Sequence, residues 1–278
     1  MGKEEIKEKV RENYARAAGE GGCCSGTSGT VNCCGQTSKE NAEKAGEEIG
    51  YQIDDLAAGY GEANLGLGCG NPNAFANLSL GEVVLDLGSG AGFDAFIAAR
   101  EVGPSGRVIG VDMTPEMVTK ARSIARKNQI ANVDFRLGEI EHLPVADHSI
   151  DVIISNCVLN LSPDKETVFQ EMKRVLKPGG RISISDILSR GNLPAALRED
   201  EVSYCNCVAG AITRERLFGL LQENGFCKIE IEEKANSSEI VGKWSDEWKL
   251  SDYIYSAYIR AEAAEQSGCC CQGCDCDG

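Results

Sequence analysis

The segment from Val83 to Gly92, VVLDLGSGAG, is the feature that most constrains the fold of this chain. Its apolar run contains the acid Asp86 and breaks into alternating glycines, and a second apolar segment follows from Phe93 to Ala99. This pattern predicts a buried parallel strand, a tight turn and the start of a helix. Glycines suit such a turn because they reach backbone angles that a Cβ forbids and let a ligand approach the main chain closely.

The glycine spacing and a second acid narrow the class of ligand. The turn has glycines at positions 88, 90 and 92, rather than the Gly-x-Gly-x-x-Gly pattern of dinucleotide sites. A second predicted strand, Arg107 to Val111, ends at Asp112, where a carboxylate can accept hydrogen bonds from both ribose hydroxyls. Together these features resemble the S-adenosylmethionine site of Rossmann-type methyltransferases. The alternative is a different nucleotide on a similar fold.

The alternation of predicted strands and helices from Gly81 onward indicates an α/β fold. We expect a doubly wound, mainly parallel Rossmann-like methyltransferase sheet with a small C-terminal lobe and a Cys-rich flexible tail. Two β-like stretches, Phe226–Glu232 and Tyr253–Ala261, would supply either the last strands of the sheet or that lobe. The other predicted strands are Val83–Leu87, Val108–Val111, Val133–Leu137, Asp151–Ser155 and Arg181–Ile187, and the predicted helices are Phe93–Val102, Pro115–Asn128, Pro163–Leu176 and Arg214–Asn224.

The charge balance argues against a nucleic-acid partner. The chain has 28 basic and 43 acidic residues, whereas binding to a phosphate backbone needs clustered Lys and Arg. No apolar run approaches the ~20 residues that span a bilayer. Residues 1–16 also lack the apolar core of a secretory signal. We therefore expect a cytoplasmic protein that binds neither nucleic acid nor membrane. We also expect a monomer.

Cysteines are unusually frequent, with fourteen in the chain. In a reducing compartment they favour soft-ion binding or redox chemistry over a structural disulfide framework. Cys69 lies in a glycine-dense segment, Cys157 just past a predicted strand end, and Cys207 shortly before the late helix. A single cysteine of this kind is more often a small buried residue. Three thiols near one predicted pocket instead favour a ligand with a soft centre.

Several segments resemble the arsenite S-adenosylmethionine methyltransferases, from about Tyr51 to Gly225. They are GLGCGNP at 66–72, the glycine turn, VDMTP at 111–115, the segment from 155 to 165 around Cys157, and CVAGA at 207–211. The resemblance implies that thiolates of Cys157 and Cys207 hold trivalent arsenic and that Cys69 joins them as a third ligand or a disulfide partner. It also implies a relay cysteine near the N-terminus, which leaves four candidates: Cys23, Cys24, Cys33 and Cys34.

The Cys-rich tail, Cys269 to Cys276, has two interpretations. Cys271 and Cys274 form a Cys-x-x-Cys pair that, with Cys276, suits zinc binding or arsenic delivery. The alternative is a disordered, redox-sensitive tail. We favour capture of the metalloid.

The implied activity is methylation of arsenite and methylarsenite for arsenic detoxification. S-adenosylmethionine is the expected methyl donor, and a thiol reductant, thioredoxin or glutathione, is the expected co-substrate. The alternatives are methylation of a small organic acceptor and sequestration of metalloids by a thiol-rich protein with a vestigial Rossmann site. The intact Asp86, glycines and Asp112 argue against sequestration.

Cofactor contacts are predicted at the carboxyl ends of the strands. The glycine turn would offer N–H groups to the carboxylate of the cofactor. Asp112 would bind the ribose, Met113 and Ile140 would sandwich the adenine, and Glu139 would accept from its amino group. The predicted cofactor residues are Asp86, Gly88, Ser89, Gly90, Gly92, Asp112, Met113, Glu139, Ile140 and Asn156.

These predictions divide the chain into four regions. Residues 1–50 hold the N-terminal helices and a Cys-rich loop, with Ser38 as the cap of the second helix. Residues 51–190 form the S-adenosylmethionine-binding domain. Residues 191–265 contribute a thiol to the substrate site, and residues 266–278 form the Cys-rich tail.

Overall fold

A computed structural model of the chain describes residues 2–19, 46–52, 55–56, 61–242, 244–245 and 247–264. Several predictions fall outside these residues: the Ser38 cap, the N-terminal cysteine pairs at 23–24 and 33–34, and the Cys269–Cys276 cluster. Among the described residues, no helix combines the length and the apolar character needed to cross a bilayer.

The centre of the molecule is one sheet of seven strands in the order β3-β2-β1-β4-β5-β7-β6. The first five strands run parallel, while β7 is antiparallel to both β5 and β6. Strand order reverses beside β1, and such a switch point is where open α/β sheets bind ligands. The strands are β1 (Val83–Leu87), β2 (Arg107–Asp112), β3 (Val133–Leu137), β4 (Ile150–Asn156), β5 (Leu176–Ser189), β6 (Phe226–Glu233) and β7 (Ile254–Ala263).

Helices cover both faces of the sheet, as the sequence predicts. The helices are α1 (Lys3–Ala18), α2 (Asn73–Ala76), α3 (Phe93–Val102), α4 (Pro115–Lys127), α5 (Lys165–Val175), α6 (Ala195–Arg198), α7 (Glu201–Cys205), α8 (Arg214–Glu223) and α9 (Ser237–Gly242), with 3-10 turns at Leu159–Leu161 and Leu250–Asp252. Because successive strand residues point to opposite faces, Val84 packs with α3 and α4 while Leu85 packs with α5 and α8. Two apolar cores result, one on each face.

The predicted fold class is confirmed, and β1, β3 and α3 have the predicted bounds. Strand β5 begins at Leu176, before the predicted start at Arg181, and a register shift separates the pairing of Leu176 from that of Arg181. Helix α5 begins at Lys165, two residues later than predicted. Asp164 caps it by accepting a hydrogen bond from the N–H of Thr167 at 3.2 Å.

The C-terminal β-like stretches belong to the main sheet as β6 and β7. The short helices α6, α7 and α9 lie in the same C-terminal part of the chain, between β5 and β7. They contribute Leu197, Cys205 and Val241 to a third apolar cluster, which also contains Val10 of α1. The predicted region boundaries near residues 50, 190 and 265 stay predictions.

Candidate active site

A cavity lies at the carboxyl ends of β1, β2 and β4, the edge of the sheet that the sequence predicts for ligand binding. Helix α1 and the segment from 63 to 68 also border it. The lining side chains and backbone include Lys7, Val10, Tyr14, Asp86, Gly88, Ser89, Gly90, Asp94, Asp112, Met113, Ile140, Glu141, Asn156, Cys157 and Val158.

The glycine turn brings backbone atoms to the cavity wall. Gly88, Gly90 and Gly92 have φ values of +65°, +52° and +95°, which side chains rarely adopt. A Cβ on Gly88 would lie 2.4 Å from the side chain of Val158, so this position also requires close packing. A Cβ on Gly90 would meet no atom within 4 Å, so the turn exposes open space at this position.

Asp86 places an unsatisfied carboxylate oxygen in a buried position. Its side chain is buried, and neither its Oδ2 atom nor the Oγ atom of Ser89 has a hydrogen-bond partner. Burial raises the pKa of Asp86 well above its ordinary value, and the negative charges of Asp94 and Asp112 raise it further. Unpaired buried polar groups are costly. Both atoms are therefore suited to a polar, cationic ligand in the cavity.

Asp112 organises the turn from the end of β2. Its Oδ2 atom accepts from the N–H of Gly90 at 2.9 Å, and its Oδ1 atom accepts from the N–H of Thr114 at 2.8 Å. Burial raises the pKa of this carboxyl, and the two backbone hydrogen bonds oppose that effect. Each carboxylate oxygen has more than one lone pair, so both can also accept hydrogen bonds from a ligand.

Glu139 does not line the cavity. It forms ion pairs with Lys7 at 2.7 Å and with Arg11 at 3.3 Å, and the hydrogen bond from Lys7 is the main cause of its lowered pKa. Ile140 and Glu141 line the cavity instead. Glu139 therefore holds α1 beside the cavity. Glu141, which was not predicted as a site residue, lines the cavity and also pairs with Lys7, at 3.4 Å.

Asn156 joins the cavity to the segment that carries Cys69. Its Oδ1 atom accepts from the N–H of Cys69 at 3.0 Å, and its amide donates to the carbonyl of Gly70 at 2.6 Å. The amide also contacts Tyr51 and Asp94. Asn156, a predicted cofactor residue, therefore lines the cavity. Its hydrogen bonds also position the segment that carries Cys69.

A buried acid that the sequence analysis does not select lies in the same network. Asp94 accepts hydrogen bonds from Tyr51 at 2.7 Å and Asn73 at 2.9 Å. Burial raises the pKa of Asp94 to about 6. Its position in the first turn of α3 is the available sequence signal, because carboxylates are favoured near a helix N-terminus.

Three predicted thiols meet at one place beside the cavity. Cys69 and Cys157 form a disulfide with a Cα–Cα distance of 6.0 Å, and the thiol of Cys207 donates to the carbonyl oxygen of Cys157 at 2.9 Å. All three are buried in the third apolar cluster. Cys157 lines the cavity, so the sulfur cluster borders the space next to the glycine turn.

Two of these cysteines adopt a left-handed backbone conformation. Cys157 and Cys207 have φ values of +57° and +62°, which are uncommon for residues other than glycine. The amide of Asn160 donates to the carbonyl of Cys207 at 3.1 Å and to Asp186 at 2.9 Å. Burial raises the pKa of the Cys207 thiol, while the cationic Lys165 acts in the opposite direction.

The backbone around Cys207 requires glycine at position 210. A Cβ there would lie 2.0 Å from the carbonyl oxygen of Asn160. We expect Gly210→Ala to lower the free energy of unfolding by about 1–3 kcal/mol, the usual cost of overpacking. Urea unfolding under reducing conditions measures this, with Gly191→Ala as the control because its Cβ would meet no atom within 4 Å. Equal stability of the two variants would contradict the proposed close approach.

Lys234 is a buried cation that the sequence analysis does not select. Its ammonium donates to the carbonyl oxygen of Cys69 at 2.7 Å and to the hydroxyl of Ser185 at 2.5 Å. Burial lowers the pKa of Lys234 to about 7, and the negative charge of Asp186 opposes that effect. Lys234 and Cys69 are 165 positions apart in the sequence, so no local sequence pattern predicts their hydrogen bond.

Comparison with known proteins gives the family. The family model described as a methyltransferase domain matches residues 78–225, more than half of the chain. An arsenite methyltransferase from Halobacterium salinarum is 51% identical over 93% of this chain, which spans 66% of that protein. A human arsenite methyltransferase is 40% identical over 52% of the chain, which spans 41% of that protein. The chain is thus shorter than these relatives.

A solved structure agrees with the sequence matches. The crystal structure of an arsenic (III) S-adenosylmethionine methyltransferase from Chlamydomonas reinhardtii is 32% identical, with a TM-score of 0.61. The match covers 81% of this chain and 74% of that one. The chain therefore belongs to the arsenite methyltransferase family, within the methyltransferases with a Rossmann-like fold.

Proposed function

We propose that this chain transfers methyl groups from S-adenosylmethionine to trivalent arsenic, as arsenite and methylarsenite, and so detoxifies arsenic. The observation that carries this proposal is the convergence of Cys69, Cys157 and Cys207 beside the cavity at the glycine turn. Trivalent arsenic is a soft centre that favours thiolate ligands. The matched arsenite methyltransferases support the same activity.

The residues around the cavity fit S-adenosylmethionine. This cofactor supplies an electrophilic methyl group on a sulfonium ion. The unpaired carboxylate oxygen of Asp86 suits the amino group of such a ligand, and the turn at Gly90 leaves space above the backbone. Asp112 would bind the ribose hydroxyls, with Met113 and Ile140 lining the place for the base. The predicted contact of Glu139 with the adenine amino group stays a prediction. Glu141 lines the cavity and is a second candidate for that contact, although it already accepts from Ser162 and pairs with Lys7.

The chemistry assigned to the protein is mainly positioning. Trivalent arsenic has a lone pair, so its attack on a methyl group requires no general base. His148, one of only two histidines, lies within hydrogen-bond distance of the carbonyl oxygen of Leu176, away from the cavity lining. Thiolates that hold arsenic in line with the methyl group would supply the rate enhancement by orientation.

The Cys69–Cys157 disulfide explains why the proposed reaction needs a reductant. Transfer of a methyl cation to trivalent arsenic formally oxidises the arsenic to the pentavalent state. Two protein thiols can return it to the trivalent state by forming a disulfide. The Cys69–Cys157 bond is a disulfide of this kind, and it must be reduced before both sulfurs can bind arsenic again. A dithiol reductant such as reduced thioredoxin, or glutathione, would complete the cycle.

Arsenic speciation tests the proposed function. We expect incubation with arsenite, S-adenosylmethionine and a dithiol reductant to give methylated arsenicals, with one S-adenosylhomocysteine formed for each methyl group added. Without the reductant, we expect turnover to stop once the protein thiols are oxidised. Tight binding of S-adenosylmethionine without methylated arsenic would favour a small organic acceptor. Arsenite binding without cofactor binding would favour sequestration.

A further inference from the structure

Lys234 has no role in the reaction proposed above, although its ammonium contacts the backbone carbonyl of Cys69, one of the two disulfide cysteines. Its side chain is 5% exposed, and its ammonium contacts Cys69 and Ser185. An ammonium group can only donate hydrogen bonds, so the Ser185 oxygen accepts from Lys234. The hydroxyl proton of Ser185 is then free to point towards the Cys69 sulfur, which lies 3.4 Å from the Ser185 oxygen.

The surroundings of this lysine suit a negative charge at Cys69. Its hydrogen bonds go to a carbonyl and a hydroxyl, and its ammonium lies 4.3 Å from the ring centre of Tyr258. Burial of a cation without a hydrogen-bonded anion is costly. An anion does form here when the disulfide opens, because one of its sulfurs then leaves as a thiolate.

We propose that Lys234, acting through Ser185, is a positioning residue that stabilises the Cys69 thiolate released when the Cys69–Cys157 disulfide is reduced. The purpose of this arrangement rests on the proposed function, in which the thiols must be regenerated after each oxidation. The same ammonium holds the Cys69 carbonyl, so it fixes the backbone while it attracts the charge on the sulfur. Ser256 supports that carbonyl with a second hydrogen bond at 3.1 Å.

The cavity gives the reductant a route to Cys157 rather than to Cys69. Both residues are buried, but Cys157 lines the cavity and is 4% exposed, whereas Cys69 does not line it and is 0% exposed. A thiolate of a dithiol reductant attacks the Cys157 sulfur, the sulfur–sulfur bond breaks, and its electron pair goes to Cys69. The second thiolate of the reductant then displaces Cys157 and closes the reductant's own disulfide. Two electrons reach the protein, and the two reductant protons go to solvent or to the released sulfurs. A better stabilised leaving thiolate departs faster.

The test measures the disulfide equilibrium in dithiothreitol redox buffers, without arsenite or S-adenosylmethionine. Differential alkylation followed by mass spectrometry of the peptides containing Cys69 and Cys157 separates this pair from the other cysteines. We expect Lys234→Met to lower the ratio of reduced to oxidised protein about tenfold, which is about 30 mV in midpoint potential. The reduction rate should fall in parallel. A ratio within threefold of the wild type would overturn the proposal.

Two further variants separate this role from a structural one. Ser185→Ala should shift the equilibrium in the same direction, and the double variant should shift it no further than Lys234→Met alone. Ser185→Ala also decides the matter if Lys234→Met fails to fold. The control is Lys249→Met, an exposed lysine paired with Asp252, which should leave the equilibrium unchanged.

A lower thermal midpoint in both redox forms with an unchanged equilibrium would assign Lys234 a structural role and reject the proposal. Failure of the proposed role of Lys234 can be distinguished from failure of the proposed function. The redox measurement needs no arsenite, and arsenic speciation with the wild-type protein tests the methylation separately.

Discussion

Replacing Cys157 or Cys207 by serine is expected to abolish arsenite methylation while leaving S-adenosylmethionine affinity within a few-fold of the wild type. A serine oxygen is a hard ligand, and trivalent arsenic favours sulfur. Mutating a group that only orients the ligands of a bound metal lowers metal affinity or activity about 10–100-fold. Loss of a ligand itself should therefore lower kcat/KM by more than about a hundredfold. Arsenic speciation and calorimetry of cofactor binding measure the two effects separately.

Cys227→Ser is the matched control for these variants. Cys227 is a half-buried cysteine in β6, and its thiol donates to the carbonyl of Glu262 outside the cavity. We expect this variant to retain wild-type turnover. Normal arsenite turnover by Cys157→Ser or Cys207→Ser would show that the ligand assignment is wrong. Loss of cofactor affinity in either variant would instead indicate that the cavity itself has been disturbed.

Asp112→Asn is expected to weaken S-adenosylmethionine binding by about tenfold to a hundredfold. A hydrogen bond to a charged group contributes about 1.5–3 kcal/mol, and each 1.4 kcal/mol is a factor of ten in affinity. The substitution preserves the size of the side chain and one of its oxygens, but it removes the charge and one acceptor. Calorimetry at a fixed ionic strength measures the dissociation constant directly.

The turn itself must be checked in the same variant, because Asp112 also accepts from the backbone of Gly90 and Thr114. Thermal unfolding without ligand therefore accompanies the calorimetry. Asp134→Asn serves as the control, since Asp134 lies on the neighbouring strand β3 and is outside the cavity lining. An unchanged dissociation constant for Asp112→Asn would contradict a ribose-binding role.

Local chemistry explains which parts of the site follow from sequence alone. The glycine turn is encoded by residues that are neighbours in the chain, and its three positive φ values are the ones that glycine tolerates. Asp112 directly ends a strand whose apolar pattern is unambiguous, so its place at the cavity follows from the strand itself. The same holds for Cys157, which directly follows β4.

Contacts between residues far apart in the chain could not be predicted from such local patterns. The sequence predicts a cofactor contact for Glu139, but it does not show that Lys7 and Arg11 of α1 form ion pairs with this residue. It also left open whether β6 and β7 join the sheet, because an antiparallel edge depends on pairing with β5 rather than on any pattern within the strands.

The amino-acid sequence by itself determined the fold class, the glycine turn and the place of Asp112 at a strand end, because each depends on short-range backbone preference or on apolar periodicity. It offered Cys69, Cys157 and Cys207 as candidates through their residue type, their local setting and the family resemblance. The tertiary structure alone decided that Cys69 pairs with Cys157 across 88 residues. It also decided that the Cys207 thiol donates to the Cys157 carbonyl and the Lys234 ammonium to the Cys69 carbonyl. The physical reason is that packing of the whole sheet, and not any local preference, sets the distance between groups far apart in the chain.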